Sequence, residues 1–74
     1  MTNTHHFDAI GVNLRMLSSY LSQAERAVEE ALTHHGDGNQ NGAIGAILEV
    51  HDQLEHAKGL YHAIIAIHRN ARRF

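Results

Sequence analysis

The sequence of 74 residues predicts an all-α protein in which two long helices fold back on each other as an antiparallel hairpin. Three observations predict this fold. Apolar residues recur at alternating steps of three and four in both halves of the chain, the spacing that places side chains along one face of an α-helix. The chain contains no proline, and one cluster rich in glycine and asparagine separates the halves. No stretch alternates with the period of two that a strand requires.

The first helix is predicted from about residue 7 to residue 34. Its main apolar stripe has eight members at heptad spacing, namely Phe7, Ile10, Leu14, Leu17, Leu21, Ala24, Val28 and Ala31. A second stripe beside it consists of Ala9, Met16, Tyr20 and Ala27. Asn3 or Thr4 is predicted to cap the first turn, because their side-chain oxygens accept hydrogen bonds from free backbone N–H groups. Arg26 and Glu30 lie four residues apart and are expected to pair.

The turn is predicted over residues 35–42, where glycine, asparagine and aspartate residues cluster. Gly36 is expected to adopt the left-handed conformation that follows many helix ends. Asn41 is expected to cap the start of the second helix. Because the connection is short, the two helices are predicted to lie antiparallel. Residues 1–74 therefore form a single domain.

The second helix is predicted from about residue 43 to residue 72. Its main stripe, again at heptad spacing, consists of Ile47, Val50, Leu54, Ala57, Tyr61, Ile64, His68 and Ala71. Four further residues, Leu60, Ala63, Ile65 and Ile67, make its C-terminal half apolar on nearly every side. Gly59, in mid-helix, marks either a close approach of another backbone or a tolerated surface glycine.

A single hairpin has more apolar surface than two helices can cover for each other, which predicts a homodimer in the form of a four-helix bundle. The predicted interface residues are the aromatic and large aliphatic side chains Met16, Tyr20, Leu60, Tyr61, Ile64, Ile65 and Ile67. They are candidates both for self-association and for binding another protein, since such side chains dominate interface hot spots.

Antiparallel folding also separates the charges, with a basic end formed by Arg15, Arg69, Arg72 and Arg73 and an acidic region near the turn. Two interpretations are open: cations complement the helix dipole at the end of the second helix, or the charges recognise a partner. The formal net charge of −2 argues against a strongly basic nucleic-acid binder. Nucleic-acid binding by a hairpin dimer resembling the plasmid protein Rop is nevertheless kept as an alternative, as is a structural role in a larger assembly.

The residues indicate neither an enzyme nor a cofactor-binding protein. The chain has no cysteine nucleophile, its serines lie on a helix surface, and two helices form no concave pocket. Helical pairs of His51 with Glu55 and of Asp52 with His56 offer two metal ligands each, and His62 a conceivable third, but no complete metal site is predicted. No stretch predicts a signal peptide or a membrane span.

Short segments carry a family resemblance: the opening Met1 to Thr4, Asn13-Leu14-Arg15, Leu54-Glu55, and Arg69 with Ala71. In these the chain resembles the anti-quorum-sensing early proteins of Mu-like Pseudomonas phages. The resemblance implies a homodimeric helical hairpin in the cytoplasm of the bacterial host. It also implies an anti-activator that blocks a LuxR-type quorum-sensing transcription activator and a pilus-assembly ATPase by protein contact. The many histidines and the turn sequence depart from that family.

Overall fold

The computed structural model describes residues 8–72, which form two α-helices joined by a tight turn. Helix α1 is Ala9–Gly36 and helix α2 is Gln40–Arg72. The helices pack against each other along their length, and residues 8–72 contain no strand. The predicted two-helix hairpin is confirmed. The connection is only residues 37–39 long, so it is shorter than the predicted turn, and α2 begins three residues earlier than expected.

Asp8 caps the start of α1. Its side-chain Oδ1 accepts a hydrogen bond from the backbone N–H of Gly11 at 3.0 Å, which satisfies one of the free donors of the first turn. The predicted caps, Asn3 and Thr4, lie outside the described residues, as does Phe7. Because the helix begins at Ala9, the capping position belongs to Asp8.

The turn uses different residues from those that the sequence predicts. Gly36 is the last helical residue of α1, whereas Gly38 adopts the left-handed conformation with φ of +78°. Asn39, and not Asn41, caps α2, because its Oδ1 accepts a hydrogen bond from Gly42 N–H at 2.9 Å. Gly42 permits this arrangement, since a Cβ there would collide with the Asn39 side chain.

Alanines form the centre of the contact between the helices. The buried residues are Ala24, Ala27 and Ala31 on α1 and Ala46 and Ala57 on α2. Small side chains let two helix backbones approach closely, because the distance between helix axes depends on the side chains at the contact. We call the facing positions the seam; they are Leu17, Tyr20, Ala24, Ala27 and Ala31 on α1, and Ala46, Val50, Gln53, Ala57, Leu60 and Ile64 on α2.

The predicted main stripes are therefore only partly correct. Ala24, Ala31 and Ala57 are buried as expected, and Leu17, Val50 and Ile64 lie on the seam, but six other large members of those stripes stand outside it. These exposed members are Leu14, Leu21 and Val28 on α1 and Ile47, Leu54 and Tyr61 on α2. The contact is rotated toward the alanines, because packing favours the small residues where backbones come closest.

The hairpin is a single layer of helices. It measures 56 × 21 × 11 Å, and its shortest dimension matches the diameter of one helix, about 10–12 Å with side chains. Its radius of gyration is 17.3 Å, whereas a compact domain of this length has about 11 Å. Globular domains normally bury an apolar face between two layers. No large side chain among the described residues is fully buried here.

Candidate interaction surface

One flank of the hairpin is polar, because polar and charged side chains of both helices lie along it. Gln23, Arg26 and Glu30 of α1 line a groove together with Glu49 and Gln53 of α2. These α1 residues lie on the side that precedes the buried alanines in sequence, one helical step of 100° before the seam. We call this side the polar flank.

An aromatic pair fixes the alignment of the two helices on the same side. The ring of Tyr20 stacks on the imidazole of His56, with centroids 4.7 Å apart and planes inclined by 16°. Tyr20 therefore lies level with His56 and Ala57. The antiparallel register that follows also places Ala27 level with Val50 and Leu17 level with Leu60.

Large apolar side chains dominate the opposite flank, although Glu25, His51 and Lys58 also lie there, each one position after a seam residue. Positions that follow a seam residue by one are turned about 100° away from it, to the side opposite the polar flank, and Leu14 lies on the same side because it is one heptad before Leu21. Six exposed apolar residues lie there at heptad spacing, Leu14, Leu21 and Val28 on α1 and Ile47, Leu54 and Tyr61 on α2, and Leu32 lies beyond them toward the turn. Leu21 is 47% exposed and Leu54 is 50% exposed. We call these six residues the apolar flank.

The register pairs the members of the apolar flank across the two helices. It places Leu21 within about two residues of the level of Leu54, and likewise Leu14 near Tyr61 toward the open end and Val28 near Ile47 toward the turn. The six side chains thus form three successive cross-helix rows along the hairpin. Because no element of the described chain covers these rows, they remain in contact with solvent.

A groove extends from the apolar flank across the outer side of α1. It has a volume of about 330 Å³ and is lined by Leu14, Leu17, Ser18, Leu21, Ser22 and Glu25. The two serines are small and lie between leucines, so the surface is indented there. An indentation flanked by large apolar side chains is the type of hole that receives a side chain from a neighbouring helix.

The predicted interface residues are distributed over several surfaces. Tyr20, Leu60, Ile64 and Ile67 are half-buried and lie along the contact between the helices. Ile65 is also half-buried. Tyr61 lies on the apolar flank, where its ring meets His62 edge to face with centroids 5.4 Å apart.

Met16 lies apart from the apolar flank. It is exposed and precedes Leu17 of the seam by one position, which places it on the polar side of α1. It is therefore a separate exposed side chain near the open end.

Charge is unevenly distributed along the hairpin. The half next to the turn, residues 23–55, carries seven carboxylates and one arginine, so its formal charge is −6. The other half of the described chain, residues 8–22 and 56–72, carries one carboxylate and four cationic side chains, giving +3. Arg15 and Arg69 are exposed in this basic half, Arg72 ends α2, and Arg73 lies outside the described residues.

Local ion pairing differs from the prediction in one respect. Glu30 contacts His34, with Oε2 and Nε2 3.7 Å apart, and it does not pair with Arg26 as expected. The Asn39 side chain approaches the other nitrogen of the same ring, with Nδ2 and Nδ1 3.4 Å apart. His34 thus connects the end of α1 to the cap of α2.

The histidines and carboxylates of the described helices do not gather into a metal site. Within residues 8–72, no three side chains of a type that binds metals are close enough to share an ion. The pairs His51 with Glu55 and Asp52 with His56 therefore stay two-ligand edges on the outside of α2. Neither helix in this range has an apolar stretch long enough to cross a bilayer.

Comparison of the chain with known protein families, with curated protein sequences and with solved structures finds no match. The resemblance to the anti-quorum-sensing phage proteins therefore stays a prediction.

Sequence reasoning missed five of the six residues of the apolar flank as surface residues, because it assigned them to the contact within the hairpin. A signal was present in the sequence. Alanines at positions 24, 27 and 31 continue the heptad spacing of Leu17 and Tyr20, and they form a second complete stripe. A stripe of small residues beside a stripe of large ones indicates which side lets two helices approach closely.

Proposed function

We propose that this chain is a non-enzymatic binding protein that forms a homodimeric four-helix bundle and acts by contact with another protein. The observation that carries the proposal is the apolar flank: six large side chains in three rows that neither helix of the described chain covers, on a hairpin only one layer thick. An exposed apolar surface of this continuity is typical of an interaction site.

A second copy of the same chain is the occupant that suits the apolar flank best. A four-helix bundle needs helices that are apolar on the seam and on one flank, with the other flank polar. Both helices of this hairpin meet that requirement on the same side. A closed two-fold dimer also buries the identical surface of both copies, so no apolar flank remains exposed.

The dimer leaves the polar flanks and the outer helix surfaces available for a partner. These surfaces contain Met16 and Leu48, both exposed, together with most of the charged residues. Aromatic or aliphatic anchors surrounded by charges are typical of protein interfaces. We propose, following the resemblance described above, that the partner is a regulatory protein of a bacterial host, such as a LuxR-type activator or a pilus-assembly ATPase, and that binding inhibits it.

The test of the host-protein proposal uses purified components. The chain is mixed with a purified LuxR-type activator and, separately, with a purified pilus-assembly ATPase, and complex formation is followed by sedimentation velocity at low and at high salt. We expect a complex with at least one of them that persists at high salt, because apolar contacts are screened little.

A third mixture contains an RNA stem-loop and no protein partner. Binding to the RNA alone, weakening steeply as salt rises, would contradict the proposal and favour nucleic-acid recognition, since such binding releases counterions from phosphates. Binding to none of the three would also contradict it.

A further inference from the structure

We infer that the second copy docks on the apolar flank with its turn at the opposite end of the bundle. This inference rests on the proposed dimer and goes further, since it specifies how the two hairpins are oriented. A different observation carries it, namely the separation of charge along the hairpin.

Two orientations bring the apolar flanks of two hairpins together around a two-fold axis. In the first, the axis is parallel to the helices and both turns lie at the same end. In the second, the axis is perpendicular to the helices and the turns lie at opposite ends. Both bury the same six residues of each copy, so the apolar contacts alone do not select one of them.

The charges select the second orientation. With both turns at one end, the two acidic halves lie side by side, and each carries a formal charge of −6. With the turns at opposite ends, each acidic half lies against the half of the other copy that carries +3. Unlike charges placed together favour association, and like charges placed together oppose it, so complementarity sets the orientation of the partner.

The pattern of apolar residues is compatible with this orientation. The midpoint of the hairpin lies near Leu21 on α1 and Leu54 on α2, because these residues are within about two residues of the same level and about equally far from both ends. A perpendicular two-fold axis through this midpoint brings Leu21 of each copy close to the partner's Leu21, and Leu54 close to the partner's Leu54. The Leu21–Leu54 rows of the two copies therefore meet at the centre of the interface.

The orientation is measured by distances between spin labels, because the natural chain has no cysteine that would compete for the label. One variant, Asp37→Cys, carries the label in the exposed turn. The matched control, Ser19→Cys, carries it near the middle of α1 on an exposed position outside the apolar flank. Circular dichroism checks that both variants keep their helix content.

Turns at opposite ends predict a label distance of about 50 Å for Asp37→Cys, since α2 has 33 residues with a rise of 1.5 Å each. Turns at the same end predict less than about 30 Å, because the bundle is only about two helix diameters wide. A short distance for Asp37→Cys would overturn the inference.

The control distinguishes a wrong orientation from the absence of a dimer. Ser19→Cys gives a distance below about 35 Å in either orientation, since it lies near mid-length in a bundle about two helices wide. No measurable distance at either position would contradict the proposed dimer itself. A long distance at the turn together with a short one at Ser19→Cys is the result we expect.

Salt dependence provides a second readout. Opposite charges that face each other are screened by salt, so the dissociation constant of the dimer should rise severalfold between low and high ionic strength. If the acidic halves were adjacent, the same change would relieve their repulsion and lower the dissociation constant. A dimer that becomes tighter with added salt would therefore also overturn the inferred orientation.

Discussion

Truncation of Leu54 to alanine is expected to weaken the dimer by about one to two orders of magnitude. Leu54 is 50% exposed in the single hairpin, so a partner covers roughly the remaining half of its side chain. Complete burial of a leucine side chain contributes about 1.5–3 kcal/mol, and half of that is about 0.7–1.5 kcal/mol. Two-fold symmetry removes the contribution twice, once from each copy. The total of about 1.5–3 kcal/mol corresponds to about a 10- to 100-fold higher dissociation constant.

Leu48→Ala provides the matched control for Leu54→Ala. It makes the same chemical change on the same helix, at a leucine that is 68% exposed and lies on the outer surface, away from the apolar flank. Sedimentation equilibrium measures the dissociation constant of each variant, and circular dichroism verifies that the hairpin remains folded. We expect Leu48→Ala to dimerise like the natural chain. If both substitutions weakened the dimer equally, or if neither weakened it, the assignment of the interface to the apolar flank would be refuted.

Three further predictions concern the stability of the fold, each measured as the free energy of unfolding in urea relative to the natural chain. Gly59→Ala should raise it by about 0.5–1 kcal/mol, because a Cβ at this mid-helix position meets nothing within 4 Å; a decrease would show that another backbone approaches there. Asn39→Ala should lower it by about 1 kcal/mol through loss of the cap on Gly42, and an unchanged value would mean that the cap is replaced by water. Gln53→Met should raise it by about 1 kcal/mol, because the side-chain oxygen of Gln53 is buried without a hydrogen-bond partner in the described chain. A large decrease for Gln53→Met would instead reveal a partner for that oxygen.

The helical hairpin could be predicted from the sequence because several local signals agree. Two stripes at heptad spacing, the absence of proline and one turn cluster all indicate the same two elements. The roles of the glycines and asparagines at the turn were predicted wrongly. Gly36 and Gly38 have the same chemistry, as do Asn39 and Asn41, and only the conformation of the folded turn decides which residue takes each role.

The orientation of each helix about its own axis was harder to predict. Leu14, Leu21 and Leu54 are more hydrophobic than the alanines beside them, and hydrophobicity alone assigns them to the contact within the hairpin. Close approach of two backbones favours small side chains, so the alanine stripe forms that contact and the leucines face outward. This competition depends on the distance between the helices, which a single sequence does not specify.

Both the sequence and the structure indicate more apolar surface than one hairpin covers. The residues predicted to supply that surface differ from those that are exposed in the structure. Sequence reasoning named residues such as Leu60 and Ile64, which are half-buried along the contact between α1 and α2. Tyr61 is the predicted residue that also belongs to the apolar flank. The need for a second copy is therefore the claim on which the proposed function and the inferred orientation both depend.

The mass of the natural chain in solution tests that claim most directly. Light scattering at micromolar concentration, combined with circular dichroism on the same sample, measures association and helix content together. The proposed four-helix bundle predicts a helical particle with twice the 8.2 kDa mass of the chain. A helical particle of 8.2 kDa, stable with its apolar flank in water, would contradict the account.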